Sequence, residues 1–406
     1  MSATDERYDI AIIGAGIIGS SLAMAIAQRG LRALLIDVDM GGRLSSSERN
    51  AGGVRATWWQ PVNIALSVAS IRYYESIRAE VGFRQKGYLI LYDEARWEQA
   101  LAMVPIQRGL DHPIEILTPA EVQRRVPEID NLDGITGATF SAGDGIINPN
   151  LLKLHYRDKA REQGARLMDR TYVYAIDAGG SNVRLSCWQG DSPLNDDQTV
   201  RMLTQDSPGE PAIGRVVEIV ADALAITVGA WAPNVLRMVG LDSPTAAIRR
   251  QICLVDSRAT NLDSYGMIFD TSGAYFHNEG PHILAGYSPP EEAAGYSFKF
   301  DGERFFQEEI WPRMYARASC FERLRFLNGW AGLYEMTPDR SGIVGRAGDR
   351  VFEAHSLSAH GVMQSYAVGQ ALADLIATGS YGSFDASALA RERFQTGALV
   401  YEELHW

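Results

Sequence analysis

The most regular pattern in the chain is its beginning. Residues 8–13 form an unbroken apolar run with β-branched side chains, as a strand buried on both faces of a parallel sheet requires. Gly14, Ala15, Gly16, Ile17, Ile18 and Gly19 follow, and residues 20–29 then read as an alanine-rich helix stopped at Gly30. Residues 31–36 make a second buried strand that closes at Asp37. Beyond this unit the pattern predicts a helix over 64–81, a strand over 87–92, a short capped helix over 118–126 and an amphipathic helix over 150–163. Residues 41–61 read as a loop packed around something, and the polar stretch 189–214 as an exposed loop that cannot bury much apolar surface. Residues 216–229 read as strand, tight turn, strand. The stretch 245–325 is β-rich and then helical over 302–316, strands return over 339–345 and 351–357, and 361–378 is an alanine-rich helix. The fold class expected is mixed α/β.

The glycines turn the pattern into candidate chemistry. A buried strand, G-x-G-x-x-G, a helix and an acidic residue ending the next strand make the fingerprint of a dinucleotide-binding turn. Gly14 permits the tight turn, Gly16 removes the Cβ that would collide with a pyrophosphate, and Gly19 lets the helix lie close to the strand. The helix N-terminus at Ile17 and Ile18 offers N–H groups and a partial positive charge to phosphates. Asp37 is suited to accept hydrogen bonds from ribose hydroxyls. NAD and FAD share this fingerprint, so it leaves both open. Glycines at 41–42 and 52–53 mark further backbone that a ligand would approach closely.

Composition narrows the partners. A chain of 406 residues, 46% hydrophobic, is long enough for two or three structural units. A net charge of −12 argues against nucleic acid or an anionic membrane. The three cysteines are far apart with no metal-ligand spacing, so neither a metal site nor a disulfide framework is expected, and a reducing compartment is. The first apolar run leaves no room ahead of it for a signal peptide, and no apolar stretch reaches the ~18 residues of a membrane span. A cytoplasmic protein is the expectation.

Four further segments choose between the dinucleotides. They are 46–55, containing Asn50, Ala51, Gly52, Gly53 and Arg55; 225–231, ending in Gly229, Ala230 and Trp231; 329–339, Gly-Trp-Ala-Gly-Leu-Tyr-Glu-Met-Thr-Pro-Asp; and 358–363, Ser-Ala-His-Gly-Val-Met. In this order, after the glycine turn, they resemble the D-amino-acid oxidase superfamily, particularly its sarcosine oxidase and glycine oxidase-like branch. The resemblance implies a Rossmann-type FAD-binding domain (1–82, 140–240 and 328–380) interleaved with a β-sheet-rich substrate domain (83–139 and 241–327), and a C-terminal extension over 381–406. It implies that Gly52 and Gly53 pass close to the isoalloxazine ring, with Arg55 as a cation nearby. Gly229 and Trp231 resemble the turn beside the adenosine half of FAD. A helix starting near Gly361, Val362 and Met363 would aim its N-terminal dipole at the flavin pyrimidine edge, with His360 within reach. Such a dipole stabilises the charge of a reduced flavin by about 0.3–2 kcal/mol.

The sequence also departs from that family. The cysteine that tethers flavin in monomeric sarcosine oxidases corresponds to Gly332, and the tethering histidine of dimethylglycine dehydrogenases to Asn50, so FAD is expected to be non-covalent. The lysine that helps O2 react corresponds to about Leu284, which favours a dehydrogenase or a slow oxidase. Three cationic carboxylate anchors of the family fall at Tyr334, Trp58 and Met363. Arg55, Arg249, Arg250 and His277 are the replacements to consider. Trp58, Trp59, Tyr275, Tyr334 and Met363 suggest an aromatic, apolar substrate pocket. His360, Arg55, Tyr334 and Glu335 are the candidate catalytic groups, Glu335 as a base or as a partner for an ammonium. The expected activity is FAD-dependent oxidation of the C–N bond of a small, secondary amine or amino acid, by hydride transfer to flavin N5 and hydrolysis of the imine. O2 or another acceptor would take the electrons, and the chain is compatible with a homo-oligomer. Two readings compete: oxidation of a 2-hydroxy acid, which needs His360 or His277 as a base, and a non-catalytic FAD-binding assembly protein.

Overall fold

A computed structural model describes residues 7–204, 214–257 and 260–403. The chain divides into two compact units, Met1–Arg49, Pro149–Ile248 and Leu333–Tyr401 in the first and Asn50–Asn148, Arg249–Gly332 and Glu402–Trp406 in the second. These bounds differ from the expected ones at 50–82, 140–148 and 328–332, which cluster with the second unit, and at 241–248 and 381–401, which cluster with the first. Residues 50–82 cluster with the second unit, because the Gly53–Val54 strand pairs antiparallel with Gly145–Ile146 and Tyr74 packs edge-on against Phe83. Residues 381–401 are no free extension. Arg393 makes a two-pronged ion pair with buried Asp339 at 2.7 and 3.1 Å, and the Val400 N–H donates to the same carboxylate at 2.9 Å.

The first unit is built on an eight-stranded sheet. The Arg7–Ile13 strand lies at its centre, parallel to Ala33–Ile36 on one side and to Arg215–Ile226 on the other. Burial on both faces explains the continuous apolar runs of these strands. Arg215–Ile226 is a single strand, where the sequence suggested two with a turn. It keeps running because it changes partners, with Val183–Gln189 along its first part and Val351–His355 along its last. Within it, Asp222 accepts from Arg7 Nε at 2.7 Å. Helices Ile17–Gln28, Pro149–Glu162 and Gly361–Thr378 belong to this unit. The first and last of these approach so closely that a Cβ on Gly369 would overlap Ser21.

The polar stretch is also more ordered than its composition suggested. Asp196–Thr204 is a helix, entered through a reciprocal pair in which the Gln198 N–H donates to Asn195 Oδ1 at 2.8 Å and the Asn195 N–H to Gln198 Oε1 at 3.0 Å. Met202 anchors it beside Tyr172 and Trp188. Residues 205–213 of that stretch lie outside the described residues.

The second unit carries another eight-stranded sheet, into which the Ala246–Asp256 and Arg325–Met336 strands run. Its two faces separate by strand parity. Leu89, Leu91, Ile268 and Phe276 enter one apolar core. Tyr88, Ile90, Tyr92, Met267, Phe269 and Tyr275, one position out of step, form an aromatic cluster on the opposite face. Among the described residues no helix is long and apolar enough to cross a membrane, and no cluster of three metal-ligating side chains occurs.

Candidate active site

The glycine turn of the first unit has the geometry of a nucleotide cradle. Gly14 has φ +98° and lies so close to the next strand that a Cβ would come within 2.6 Å of the Thr227 carbonyl oxygen. A Cβ on Gly19 would overlap the Gly14 carbonyl, so helix and strand close only with glycine there. Gly16 is different: its Cβ would meet nothing nearer than Ser47 Oγ at 3.4 Å. Packing within the protein therefore does not require glycine at 16, which leaves open space above the turn. The Ile17–Gln28 helix has no acidic residue in its first turn to offset its dipole, and the Ile17 N–H donates to Ser47 Oγ at 2.9 Å. Asp37 ends the second strand and accepts from the Ala15 N–H at 2.5 Å and the Asp39 N–H at 2.9 Å. These two bonds leave a carboxylate lone pairs to spare for a sugar hydroxyl. An open, dipole-facing cleft with a carboxylate at its edge fits a dinucleotide such as FAD.

Two charged groups that the sequence reading missed hold this cradle. Arg157, from the Pro149–Glu162 helix, donates to Ser20 Oγ at 3.1 Å, to the Met40 carbonyl at 2.7 Å and to the Ala15 carbonyl. Lys153, one turn earlier, is buried and paired with Glu48 beside Gly42. Burial pushes its ammonium pKa down to about 8. Their spacing (i, i+4) on one face of a helix predicted amphipathic was the available signal.

The remaining first-unit candidates close around the same turn. Thr227 Oγ1 donates to the Ile13 and Gly14 carbonyls, so the Gly229–Trp231 turn starts directly behind the glycine loop. Ser46 Oγ donates to the Leu333 carbonyl at 2.6 Å, which brings the strand end bearing Tyr334 and Glu335 to the same segment that caps the first helix. Glu335 accepts from the Leu357 N–H at 3.2 Å, and its other oxygen lies 2.5 Å from where a Gly229 Cβ would be. Burial pushes its pKa up to about 7.

Leu357 sits in an unusual loop. Ser356, Ser358 and Ala359 all have left-handed backbones, with φ of 55°, 48° and 73°. Such non-glycine residues cost roughly 1–3 kcal/mol each and persist only where neighbours over-determine them. Here Ser356 Oγ is 2.5 Å from Thr245 Oγ1 and 2.6 Å from His355 Nδ1, and His355 Nε2 is 2.9 Å from Glu353. Ser358 donates its N–H to the Glu335 carbonyl at 3.2 Å. The loop ends at buried His360, and the 18-residue helix Gly361–Thr378, with Val362 and half-buried Met363 in its first turn, begins without an acidic side chain there.

The other candidates lie in the second unit. Asn50 Oδ1 accepts from the Gly52 N–H at 2.7 Å, fixing the turn in which Gly52 has φ +72°, and Gly53 packs against the Tyr88 hydroxyl. Gly332 is buried on the Arg325–Met336 strand. Arg55 is buried with its guanidinium 3.8 Å from the Trp58 ring centroid and 5.4 Å from that of Phe269, which stacks on Tyr88 and Tyr275. Trp58 is thus buried beneath Arg55, and its Nε1 donates to the Arg55 carbonyl at 3.1 Å. His277 is buried with Nδ1 2.9 Å from the Asn278 carbonyl and Nε2 3.0 Å from the Ala51 carbonyl. Both ring nitrogens therefore face carbonyls, of which the neutral imidazole donates to one, and burial pushes its pKa down. Arg249 is engaged by Glu292 at 2.7 Å and Asp301 at 3.1 Å. Leu284 stands opposite His277 in the strand register, on the aromatic face.

Comparison with known proteins agrees with this geometry. The family model described as FAD dependent oxidoreductase (DAO) matches residues 9–375. The chain is 27% identical to FAD-dependent oxidoreductase domain-containing protein 1 of Xenopus laevis, covering 96% of this chain and 83% of that protein. It is 22% identical to glycine oxidase of Geobacillus kaustophilus, covering 91% and 93%. The crystal structure of L-proline dehydrogenase from P. horikoshii superposes with a TM-score of 0.82 at 23% identity, over 97% of this chain and 99% of that one.

Proposed function

The chain belongs to the DAO family of FAD dependent oxidoreductases, and from that premise we propose that it oxidises the C–N bond of a small, secondary amine or amino acid. The observation that carries this reading is Arg55, a cation held over Trp58 beside the stacked aromatic face of the second unit. A guanidinium among rings suits a compact apolar substrate that bears a carboxylate. Arg55 takes the role of carboxylate anchor that Tyr334, Trp58 and Met363 cannot fill, whereas Arg249 is spent on Glu292 and Asp301. The names of the relatives, glycine oxidase and L-proline dehydrogenase, point to the same substrate class.

Bound FAD supplies the acceptor for a hydride from the carbon beside nitrogen; the amine proton leaves to solvent, and water then hydrolyses the imine. Gly16 and the N-terminus of the Ile17–Gln28 helix would hold the pyrophosphate, and Asp37 the ribose. The Gly361–Thr378 helix would favour the negative charge of reduction at the pyrimidine edge. Neither Gly332 nor Asn50 offers a nucleophile for a covalent link, so FAD is held non-covalently. Oxidation of an alcohol needs a base for the hydroxyl proton, and of its two candidates His277 faces a carbonyl with each ring nitrogen, which leaves that role to His360. A neutral amine needs no such base, which favours the C–N reading. The test is anaerobic stopped-flow mixing of the yellow protein with L-proline, sarcosine and N-methylated amino acids. Bleaching near 450 nm by at least one of them is expected, with slow reoxidation in air because Leu284 stands where oxidases use lysine. Bleaching by 2-hydroxy acids alone contradicts the reading.

A further inference from the structure

We propose that Glu335 is a positioning residue of the FAD cradle, a bracket between the Gly229 turn and the 356–360 loop whose protonation governs how tightly FAD is held. The inference rests on FAD being the cofactor, and it assigns Glu335 a role other than base or ammonium partner.

Three contacts place it. One carboxylate oxygen accepts the Leu357 N–H, the other lies against Gly229, and the Glu335 carbonyl accepts the Ser358 N–H. A single residue therefore holds two consecutive backbone N–H groups of a loop with three left-handed non-glycine residues. That loop ends at His360, immediately before the helix expected to face the flavin. On its other side the bracket touches the turn that starts behind Gly14.

Among the described residues no cation is paired with the carboxylate. The influences on it are burial, which raises its pKa to about 7, and the Leu357 N–H, which lowers it. The ionisable groups on the elements around it are committed elsewhere or lie further along: Asp339 pairs with Arg393, Glu353 with His355 and Arg391, and Glu48 with Lys153. The Gly229–Trp231 turn carries no charge, and the Ala232–Arg237 helix after it carries Arg237 at its far end, donating to Asn234 Oδ1 at 2.7 Å. His360 in the loop and half-buried Asp37 at the cradle edge are the remaining groups able to titrate nearby. FAD brings two phosphate charges into this cradle. The bound state therefore favours the protonated carboxyl, and FAD binding above neutral pH takes up a proton. The sign follows: affinity is highest below the pKa of the free protein and falls as pH rises through it, until the pKa of the bound state is passed.

The experiment is titration of the apoprotein with FAD, followed by quenching of flavin fluorescence between pH 6 and pH 8.5, for wild type, Glu335→Gln and Glu335→Ala. Wild type should lose about tenfold in affinity across this range, the effect of a one-unit difference in pKa between the free and bound states. Glu335→Gln keeps an acceptor for the Leu357 N–H without the charge, and should bind with the low-pH affinity throughout. Glu335→Ala should bind weakly at every pH. A wild-type affinity that is flat between pH 6 and 8.5 overturns the proposal, whether or not the variants fold. So does a full pH step persisting in Glu335→Gln, which would assign it to His360 or Asp37. Failure of wild type to bind FAD at any pH would instead overturn the cofactor reading.

Discussion

Three glycines of one turn do different work, and that difference can be measured. Gly14 and Gly19 are required by the fold, since a Cβ at either would run into backbone of the same unit. Gly14→Ala or Gly19→Ala should destabilise the protein by more than about 3 kcal/mol, read from urea unfolding with and without FAD. Gly16 has room for a methyl group at 3.4 Å from Ser47 Oγ. Gly16→Ala should therefore fold with nearly unchanged apoprotein stability while weakening FAD at least tenfold, about 1.4 kcal/mol; equal FAD affinity would remove Gly16 from the cofactor site. The sequence spacing already distinguished the packing roles of Gly14 and Gly19, because each follows from backbone geometry that the G-x-G-x-x-G order encodes. The roles of Arg157 and Lys153 were not legible, because a buried cation on an amphipathic helix looks like a solvated one until its partners Ala15, Met40 and Glu48 are brought to it. The surroundings of His277 were not legible for a related reason: its neighbours are backbone carbonyls, which leave no mark in a sequence.

Among the elements, the Pro61–Ser76 helix shows how local signals and distant ones divide the labour. Its N-cap, Gln60, makes no side-chain cap, and the missing acceptor comes from Glu402, far along the chain. That carboxylate accepts from the Trp59 N–H at 3.0 Å, the Gln60 N–H at 3.2 Å and Asn63 Nδ2 at 3.2 Å. Glu402→Ala leaves these buried donors without it and should cost about 1–3 kcal/mol in urea unfolding; a change below ~0.5 kcal/mol would show that water replaces the carboxylate without penalty. The Pro119–Arg125 helix is the opposite case. Its Thr118–Glu121 capping box is wholly local, and the element was legible to within a residue at each end. The same contrast explains the Arg215–Ile226 strand. A strand that exchanges partners midway looks like two strands until the partners are known.

At the scale of the whole chain, two units are each assembled from separated stretches of sequence, and this interleaving was read from family-like segments rather than from composition. The unit bounds were displaced, most of all at 50–82 and 381–401, because they depend on pairings such as Tyr74 with Phe83 and Arg393 with Asp339 that no local pattern announces. The glycine turn and the groups that brace it, Gly14, Gly16, Gly19, Asp37, Ser47 and Arg157, lie wholly within the first unit. Everything proposed for catalysis depends on that cradle holding a flavin. The most direct measurement is the absorbance spectrum of the purified protein after incubation with excess FAD and removal of what is unbound, followed by acid precipitation. The account predicts flavin bands near 370 and 450 nm at close to one FAD per chain, with all the yellow colour released into the supernatant. A protein that stays colourless after incubation would contradict it.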